Sequence, residues 1–566
     1  MNFKRSEYMK RDLKKLSDKT YDLLIIGGGI YGAAAAWEAS LQGLSVALIE
    51  QNDFGGATSA NSLKIIHGGL RYLQQFDIIR MRESIRERRL LMQLAPQLAH
   101  PLTCVMPTFG HFMKGREVMS VGMLVNDIIS FDRNRLHDPQ KKIPMGKVIS
   151  KKKCLEMIPF IDPHTYNGGA LWTDGQVYNT ERLTLAFISS AVEMGAEVAN
   201  YVKGKELQQT DDHIRGVKVK DQLTGDEFSI KSNMLLNTCG GWVNEFLRES
   251  DVVKELPRVQ LSTALNLVVK KKLLKKNAAG VYSNYEYELP DGSRKNIRRV
   301  LFMTPWRDHT VIGTFHRPFH GSPDSMQVSE KEIQEALEEA NTALYKEKIT
   351  RDDISFVLKG FLPMDGISQK TGEVILTKHY SLFDHEKKNG IRGIISVSGV
   401  KYTTARDVAE KSIKLVLKKL DEKPRSIDRY TMRLSGGNID RYNEFLASAI
   451  DSHGSDFNEK TIKHLVLNYG SEYEKICNFC TADSELGRLI KGSDKVILAE
   501  VLYAVREEMA HTLSDVIFRR TGLGSAGNPG DAVLYDCADL MGKELHWDER
   551  RKEKEIEQVK NMYTIV

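Results

Sequence analysis

The sequence predicts a mixed α/β protein in which a parallel, helix-covered sheet is interleaved with an antiparallel sheet and followed by a helical domain. A β-α-β pattern spans residues 21–50, and alternating apolar and polar residues with turns span residues 258–320. Beyond about residue 430 the periodicity becomes helical. Because 566 residues exceed what one ordinary hydrophobic core can organise, we expect several domains.

The domain boundaries are expected where these patterns change. A basic N-terminal extension (1–20) comes first, and a helical domain (431–566) comes last. Residues 21–430 between them carry two interleaved parts. The parallel-sheet part is expected at about 21–100, 172–245 and 370–425. The antiparallel part is expected at about 101–171 and 246–369.

The first β-α-β unit contains a glycine motif between its first strand and its helix. The motif has the spacing G-x-G-x-x-G and consists of Gly27, Gly29 and Gly32. Such glycines allow close approach of a pyrophosphate, whose charge faces the helix amides from Ile30 onward. The second strand ends at Glu50, whose carboxylate can accept hydrogen bonds from ribose hydroxyls. The complete unit predicts a Rossmann-like dinucleotide site.

Later segments determine how the chain completes this site. Residues 72–94 have the pattern of a long charged helix. Residues 394–398 form another buried strand, followed by a helix over 404–420. The late strand joins the first β-α-β unit only if the chain returns to its first sheet. That arrangement is common among flavoproteins and less common among nicotinamide dehydrogenases.

Composition argues against several classes of protein. A hydrophobic fraction of 41% and a charged fraction of 28% are typical of a soluble globular chain. No apolar run reaches the roughly 18–20 residues of a membrane span, and the N-terminal residues lack the apolar core of a signal peptide. The six cysteines are sparse, as in a reducing compartment, so a cytoplasmic protein is expected. The C-x-x-C at Cys477 and Cys480 has no further ligands nearby, and no metal site is expected.

The net charge of +6 gives no reason to expect nucleic-acid binding. Basic residues are nevertheless clustered at 1–20, 151–153 and 270–276. Each cluster is either a solvated basic face or part of a surface that holds the protein on an anionic membrane. The apolar residues of the first cluster, which could contact lipid, are Phe3, Met9, Leu13 and Leu16.

Four further motifs extend over nearly the whole chain. Residues 66–73 read I-H-G-G-L-R-Y-L, which is the most specific of them. Residues 237–243 read N-T-C-G-G-W-V, and residues 399–404 read G-V-K-Y-T-T. Residues 510–521 belong to the helical C-terminal part. With the glycine motif, these segments resemble the FAD-dependent glycerol-3-phosphate dehydrogenase family, within the D-amino-acid-oxidase-like flavoproteins.

The resemblance implies FAD as the cofactor. The residues that match its ADP half are Gly27, Gly29, Gly32 and Glu50. The residues that match the surroundings of the pyrophosphate and the flavin ring are Ile30, Thr58, Ser59, Ser62, Lys64 and Gly240. The residues that match the segment closing over the isoalloxazine are Gly399, Lys401, Tyr402 and Thr403. A lysine near the pyrimidine end of the flavin stabilises negative charge as the ring accepts a hydride.

The resemblance also implies a reaction, the oxidation of sn-glycerol 3-phosphate to dihydroxyacetone phosphate. Hydride would pass to flavin N5, and the electrons would then pass to a quinone in the membrane. Arg71 and Tyr72 match the substrate side, where an arginine can hold an anionic group through two parallel hydrogen bonds. The identity of the general base is open between His67, His316 and Lys401.

The sequence departs from the family at two substrate-facing positions. In the family's G-(V/L)-R-P-L stretch the arginine is replaced by Leu362, which cannot bind an oxyanion. The family's K-G-(S/T)-H appears as T-A-L-N at 263–266, which leaves Asn266 as a hydrogen-bonding side chain. His316 and Arg317 stand where the family tends to have Thr-Asp, and they could restore a cationic contact. The expected substrate-binding residues are Arg71, Tyr72, Asn266, Arg317 and Lys401.

Three other functions stay open. The first is an oxidoreductase of the same fold that acts on another polyol, a hydroxy acid or an amine, with quinone or oxygen as acceptor. The second is a flavin-binding protein whose helical tail serves a partner, and the third is an NAD enzyme. The oligomeric state is open between a monomer and a homodimer. The expected location is the cytoplasm, with peripheral attachment to the inner face of the cell membrane.

Overall fold

The computed structural model describes residues 9–564 apart from 112–114, 251, 252, 254, 289–291 and 293. Over these residues the chain forms two sheets followed by a helical C-terminal part, which confirms the predicted mixed α/β fold. Phe3 lies outside the described residues.

The strands lie mainly in the first 400 residues. They are β1 (Thr20–Ile26), β2 (Val46–Ile49), β3 (Ile65–Ile66), β4 (Ala99–Thr108), β5 (Lys147–Ser150), β6 (Gly168–Val177), β7 (Glu197–Ala199), β8 (Val202–Thr210), β9 (His213–Asp221), β10 (Glu227–Asn237), β11 (Gln260–Val269), β12 (Ala278–Glu288), β13 (Arg294–Trp306), β14 (His309–Phe319), β15 (Ile354–Ile367), β16 (Val374–Leu376), β17 (Ser381–Asp384) and β18 (Ile394–Ser398).

The α-helices cover the sheets and then form the C-terminal part. They are α1 (Leu13–Ser17), α2 (Ile30–Gln42), α3 (Ile78–Leu94), α4 (Arg116–Ile129), α5 (Lys151–Met157), α6 (Thr180–Glu193), α7 (Val243–Glu249), α8 (Glu330–Thr342), α9 (His385–Asn389), α10 (Ala405–Lys419), α11 (Tyr442–His453), α12 (Glu459–Tyr469), α13 (Tyr473–Ala482), α14 (Leu498–Glu507), α15 (Asp531–Leu545) and α16 (Glu549–Asn561).

The first sheet contains a parallel core with the strand order β18-β10-β1-β2-β7. Ile26 at the end of β1 pairs with Asn237 in β10 and with Ile49 in β2. Asn237 in turn pairs with Ser396 in β18. The late strand therefore returns to the first sheet, as the sequence predicted. The carboxyl ends of strands that are far apart in sequence come to lie side by side.

Both faces of this parallel core are covered, which explains why its strands are apolar throughout. Leu23 and Ile25 of β1 lie in one buried cluster with residues of α2, α6 and α10. Leu24 and Ile26 point to the opposite cluster, which contains residues of β8, β9 and β10. The continuous apolar run of β1 is thus divided between two cores by the alternation of its side chains.

The second sheet is mostly antiparallel and has the order β16-β15-β11-β14-β13-β12-β4-β6-β3. Its central part confirms the antiparallel pattern predicted over 258–320. In this sheet Asn266 of β11 lies opposite Gly313 of β14 and Leu358 of β15. Its core includes the buried side chains of Leu267, Ile312 and Ile333.

The helical C-terminal part has its own core and is joined to the parallel sheet by buried ion pairs. Arg520 donates to both oxygens of Asp53, at 2.6 and 2.9 Å, and Arg519 is paired with the same carboxylate. Arg182 of α6 contacts both oxygens of Glu508 at 2.7 and 2.6 Å. Since all of these side chains are buried, the pairs fix the helices against the sheet.

Several local expectations require correction. The charged helix predicted from residue 72 begins at Ile78, because Leu70–Gln75 forms a separate 3₁₀ helix. Met9 and Leu16, considered as lipid contacts, are buried within the protein. Among the described residues, none of the helices combines the length and the apolar character that crossing a bilayer requires.

Candidate functional site

A cavity of about 2330 Å³ lies at the carboxyl ends of the parallel strands. Gly27, Glu50, Thr238 and Gly399, which follow β1, β2, β10 and β18, all line it. Open parallel sheets bind ligands at this edge. The cavity extends to the antiparallel sheet and is also lined by C-terminal residues, among them Arg519.

The glycine motif has a separate steric reason at each position. Gly27 has a φ of +103°, and an added Cβ would lie 2.8 Å from the carbonyl oxygen of Thr238. A Cβ on Gly32 would lie 1.9 Å from the carbonyl oxygen of Gly27, so this glycine lets α2 pack against the turn. Gly29 lines the cavity, whereas Gly32 does not. Two of the three glycines thus shape the turn, and one leaves room for a ligand.

Glu50 is held at the cavity edge by backbone amides. Its Oε2 accepts a hydrogen bond from Gly28 N at 2.7 Å, and its Oε1 accepts one from Asn52 N at 3.0 Å. Burial raises the pKa of Glu50, and the amides of Asn52 and Gly28 oppose that effect. The carboxylate is therefore fixed where a ribose would follow the glycine turn.

The loop after β2 connects the first turn of α2 with β15. Ser59 Oγ accepts a hydrogen bond from the amide of Ile30 at 3.0 Å. Thr58 Oγ1 accepts one from the amide of Phe361 at 2.9 Å. Ser62 and Gly240 also line the cavity. These predicted cofactor positions are brought together along one wall.

Lys64, like Gly32, is a predicted cofactor residue that does not line the cavity. Its Nζ is buried and lies 3.2 Å from the carboxylate of Glu181, with Thr180 Oγ1 at 2.8 Å. Burial lowers the pKa of Lys64, and the Glu181 carboxylate acts in the opposite direction. Lys64 therefore anchors its loop to α6.

The segment after β18 is clamped by α2 through Tyr31. The Tyr31 hydroxyl donates to the carbonyl oxygen of Lys401 at 2.7 Å and accepts from the Lys401 amide at 3.1 Å. A Cβ on Gly399 would lie 2.0 Å from the Tyr31 ring, so only glycine fits there. Tyr402 donates to the Thr180 carbonyl oxygen at 2.8 Å, and Thr403 lines the cavity.

These features fit an FAD molecule. The cavity is lined both by the glycine turn and by residues 399–403, and its glycines provide close backbone approach where the dinucleotide needs it. Gly360 adds a second tight position, since a Cβ there would lie 3.0 Å from Thr58. The residues that would hold the adenosine and pyrophosphate are Gly29, Ile30, Glu50 and Ser59, and those nearest the ring would be Thr58 and Lys401.

At the far end of the cavity, three cations surround the ring of Tyr72. Lys401 Nζ lies 4.1 Å from the ring centroid, and the guanidinium carbons of Arg80 and Arg71 lie at 4.2 and 5.5 Å. Tyr72 is 2% exposed, and its hydroxyl has no hydrogen-bond partner among the described residues. Burial, together with Arg80 and Arg71, lowers the pKa of Lys401 to about 7. This end of the cavity is suited to an anion.

His67 stands beside this cation cluster. Its ring centroid lies 5.9 Å from that of Tyr72. Burial and the neighbouring cations, with Lys401 foremost, lower the pKa of His67 well below its usual value. The adjacent backbone is fixed because Gly68 N donates to Asp174 Oδ1 at 2.5 Å. His67 is therefore a neutral imidazole in a fixed position.

The antiparallel sheet supplies the facing wall. Asn266 Oδ1 accepts from Thr314 Oγ1 at 2.9 Å, and Asn266 Nδ2 donates to the Asn61 carbonyl oxygen at 3.2 Å. Leu362 and His316 also line the cavity. Burial lowers the pKa of His316 to about 4, so this ring is neutral as well. The wall is uncharged at these four positions, and it is polar at all of them except Leu362.

Arg317 does not join the cluster. It is paired with Glu335 of α8 and does not line the cavity. Its side chain alternates with that of His316 along β14, so the two point to opposite faces of the sheet. The cationic contact that the sequence suggested at this position is absent from the cavity wall.

Two residues of the site carry no signal that sequence reasoning could have used. Tyr31 occupies a variable position of the glycine motif, and its contact with Lys401 joins segments 370 positions apart. Arg80 is one of several arginines in a charged helix, and only the structure shows that it faces the cavity.

Comparisons with known proteins agree with this geometry. The family of FAD dependent oxidoreductases matches residues 22–396, and the C-terminal domain of alpha-glycerophosphate oxidase matches residues 430–552. A glycerol-3-phosphate dehydrogenase of Synechocystis sp. is 31% identical and is aligned over 97% of both chains. An aerobic glycerol-3-phosphate dehydrogenase of Bacillus subtilis is 29% identical, over 98% of this chain and 96% of that protein.

A solved structure shows the same fold. The glycerol-3-phosphate dehydrogenase from Bacillus halodurans, complexed with FAD, superposes with a TM-score of 0.75 at 24% identity. The superposition covers 97% of this chain and 95% of that one. With the family matches, the resemblance found in the motifs is confirmed. The chain therefore belongs to the FAD-dependent glycerol-3-phosphate dehydrogenase family, and FAD is its cofactor.

Proposed function

We propose that this protein oxidises sn-glycerol 3-phosphate to dihydroxyacetone phosphate. The observation that carries the proposal is the cation cluster of Arg71, Arg80 and Lys401 around Tyr72, next to a neutral His67. An anionic group bound by the cations would leave the secondary alcohol within reach of the imidazole. The relatives named as glycerol-3-phosphate dehydrogenases support the same substrate.

In this proposal the cofactor, when bound, supplies the acceptor for the hydride that leaves the alcohol carbon. His67 accepts the hydroxyl proton on an imidazole nitrogen, because its low pKa keeps the ring unprotonated at neutral pH. Arg71 and Lys401 hold the anion. Asn266 and Thr314 face the substrate from the opposite wall, and their mutual hydrogen bond of 2.9 Å fixes the orientation of both side chains.

Anaerobic mixing of the flavin-loaded protein with glycerol 3-phosphate tests this proposal. Rapid bleaching of the visible flavin band is expected. If the band persists while dithionite still reduces the flavin, the cofactor is competent and glycerol 3-phosphate is not the substrate.

A second candidate is an oxidoreductase of the same fold for another polyol, a hydroxy acid or an amine. Leu362 favours it, because an apolar side chain lines the cavity where the family has a guanidinium. A panel of such compounds in the same bleaching assay separates the two candidates. Faster reduction by an uncharged polyol than by its phosphate would select the second.

We further propose that the electrons pass to a quinone and that the protein attaches to the cytoplasmic face of a membrane. What supports this is a set of exposed apolar side chains beside the cavity, on α4, just after it, and around the start of α3. Its members, which we name the α4 face, are Phe76, Ile79, Val121, Leu124, Ile128 and Phe131, with exposures from 55% to 85%. Phe76 and Val121 also line the cavity, so the surface and the site adjoin.

The basic clusters support attachment less directly, because several of their lysines have carboxylate partners. Lys271 lies 2.9 Å from Asp353, and Lys153 lies 3.0 Å from Glu156. The α4 face is therefore the surface to test. Monomeric soluble proteins seldom expose a contiguous apolar patch of this kind without a partner.

Sedimentation with vesicles that contain anionic lipid tests the attachment. Leu124→Asp is expected to reduce binding severalfold, because a charge would enter the apolar interface. Ser448→Asp on the exposed side of α11 is the matched control and should bind as the unchanged protein does. Equal binding of both variants would contradict a role for the α4 face. A short-chain quinone should reoxidise the reduced flavin faster than oxygen does.

A further inference from the structure

Arg80 is a nearly buried guanidinium at the substrate end of the cavity. Its side chain is 4% exposed and lines the cavity. Among the described residues its carboxylate contact is Asp77, whose Oδ2 lies 3.4 Å from Arg80 Nη1. Its buried Nε has no hydrogen-bond partner within the described part of the chain. A buried guanidinium with an unpartnered N–H group lowers the stability of the protein unless a ligand accepts that hydrogen bond.

Other arginines of α3 have closer carboxylate partners than Arg80, although the buried Nε atoms of Arg88 and Arg89 also lack a hydrogen-bond partner among the described residues. Arg82 and Arg89 share the carboxylate of Asp132, with contacts of 2.7 and 2.6 Å. Arg88 lies 2.9 Å from Asp174 Oδ1. These three hold α3 against its neighbours. A purely structural role for Arg80 would require comparable partners.

Among the described residues, the positive charge around Tyr72 is only partly balanced by nearby carboxylates. Arg71, Arg80 and Lys401 contribute three positive charges. Asp77 Oδ2 lies 3.4 Å from Arg80 Nη1, and Glu83 is 2.8 Å from Lys411. The mutual repulsion of the three cations is relieved when an anion with two negative charges binds between them.

Other cations line the cavity, among them Arg299, which is paired with Glu339, and Lys359, but neither belongs to the cluster around Tyr72. Leu362 is apolar, and Arg317 is committed to Glu335. We propose that Arg80, together with Arg71, binds the phosphate of the substrate, and that Arg80 is a specificity-determining residue that takes over from the guanidinium missing at Leu362. The inference rests on the proposed oxidation of a phosphorylated polyol and deepens it. A fork of N–H donors on each arginine is suited to a phosphate.

Two readouts on the flavin-loaded protein test the inference. Calorimetric titration with inorganic phosphate measures the anion site without turnover, and the KM for glycerol 3-phosphate measures it during turnover. Arg80→Gln is expected to weaken phosphate binding and to raise KM on the order of 10- to 100-fold, with a smaller change in kcat. Arg86→Gln is the control, on the same helix and outside the cavity. It should change phosphate binding and KM by less than about twofold, since Arg86 contacts no ligand in this proposal.

A second variant keeps the test informative if Arg80→Gln folds poorly. Asp77→Asn removes the carboxylate contact of Arg80, while asparagine remains a good N-cap for α3. Phosphate should then bind several times more tightly. Weaker or unchanged phosphate binding in Asp77→Asn, or unchanged binding in Arg80→Gln, would overturn the inference.

The outcomes also separate this inference from the proposed function. If phosphate binding depends on Arg80 but glycerol 3-phosphate does not bleach the flavin, the anion site stands and the proposed substrate fails. If the flavin is bleached with the same KM in Arg80→Gln, the proposed function stands and the inference fails.

Discussion

The hydroxyl of Tyr31 holds both backbone polar groups of Lys401. It donates to the carbonyl oxygen at 2.7 Å and accepts from the amide at 3.1 Å. Tyr31 belongs to the first turn of α2, and Lys401 follows β18, so one side chain joins the start of the glycine turn to the segment expected over the flavin. Burial raises the pKa of Tyr31 to about 12, which keeps the hydroxyl protonated and able to donate.

Tyr31→Phe should therefore loosen the segment that carries Lys401. Two hydrogen bonds are lost, and the backbone groups left behind are partly buried, so the stability should fall by about 1–3 kcal/mol. The dissociation constant of FAD and kcat, measured together, are expected to worsen severalfold. Tyr535→Phe, which removes an exposed hydroxyl near Glu553, is the control and should change neither. Unchanged FAD affinity in Tyr31→Phe would show that the clamp does not matter for the cofactor.

Gly399→Ala tests the same junction by steric means. The added Cβ would lie 2.0 Å from the Tyr31 ring, closer than van der Waals contact allows, so the ring or the segment must move. Loss of most FAD binding is expected. Gly487→Ala is the control, because its Cβ would lie 3.5 Å from Phe457, an ordinary contact. Combining Gly399→Ala with Tyr31→Ala should restore part of the FAD binding, and a lack of any rescue would contradict the steric explanation.

Much of the fold could be predicted from the sequence, because it depends on local patterns. The glycine motif, the apolar run of β1 and Glu50 all lie within one β-α-β unit, whose geometry is nearly independent of the rest of the chain. The return of residues 394–398 to this sheet could be predicted because this arrangement is common among flavoproteins, and the pairing of β18 with β10 confirms it.

The site could be predicted only in part, because side-chain direction depends on tertiary contacts. Lys64 lies in a motif of the family, yet it has a φ of +61° and turns into a buried pair with Glu181. Arg317 alternates with the cavity-facing His316 along a strand, and a sequence alone does not say which of the two points inward. Arg80 could not be distinguished from the other arginines of α3.

The buried carboxylate of Asp53 should be essential for joining the helical C-terminal part to the cofactor loop. Burial alone would raise the pKa of Asp53, but the guanidinium groups of Arg520 and Arg519 hold it well below its usual range. Asp53→Asn would remove the carboxylate that two buried guanidinium groups share and leave Arg519 with Asp515 and Arg520 with the more distant Glu508, at a cost of about 3–5 kcal/mol. A lower unfolding midpoint is expected.

Limited proteolysis of the Asp53→Asn variant should also release the helical part sooner. Asp212→Asn, which removes an exposed partner of Arg392, serves as the control and should leave the midpoint within measurement error. An equal midpoint for both variants would mean that the buried pair contributes no more than the exposed one.

The lowered pKa of Lys401 predicts how kcat/KM changes with pH. Burial and the charges of Arg80 and Arg71 depress its pKa to about 7, while Glu83 and Asp77 act in the opposite direction. The ammonium is therefore present below about pH 7 and is lost as the pH rises through this value. If the ammonium helps to bind the anionic substrate, kcat/KM should be level below this pH and should decline above it, because kcat/KM reports groups of the free enzyme.

Lys401→Arg identifies the group that causes the decline. Arginine stays charged throughout the accessible range, so the alkaline limb of the kcat/KM profile should move out of range even if the absolute rate falls. Lys359→Arg is the control: Lys359 also lines the cavity and burial lowers its pKa, yet it is not part of the cation cluster around Tyr72. The limb should persist in that variant. A limb that survives in Lys401→Arg and disappears in Lys359→Arg would assign the titration to the wall formed by β15.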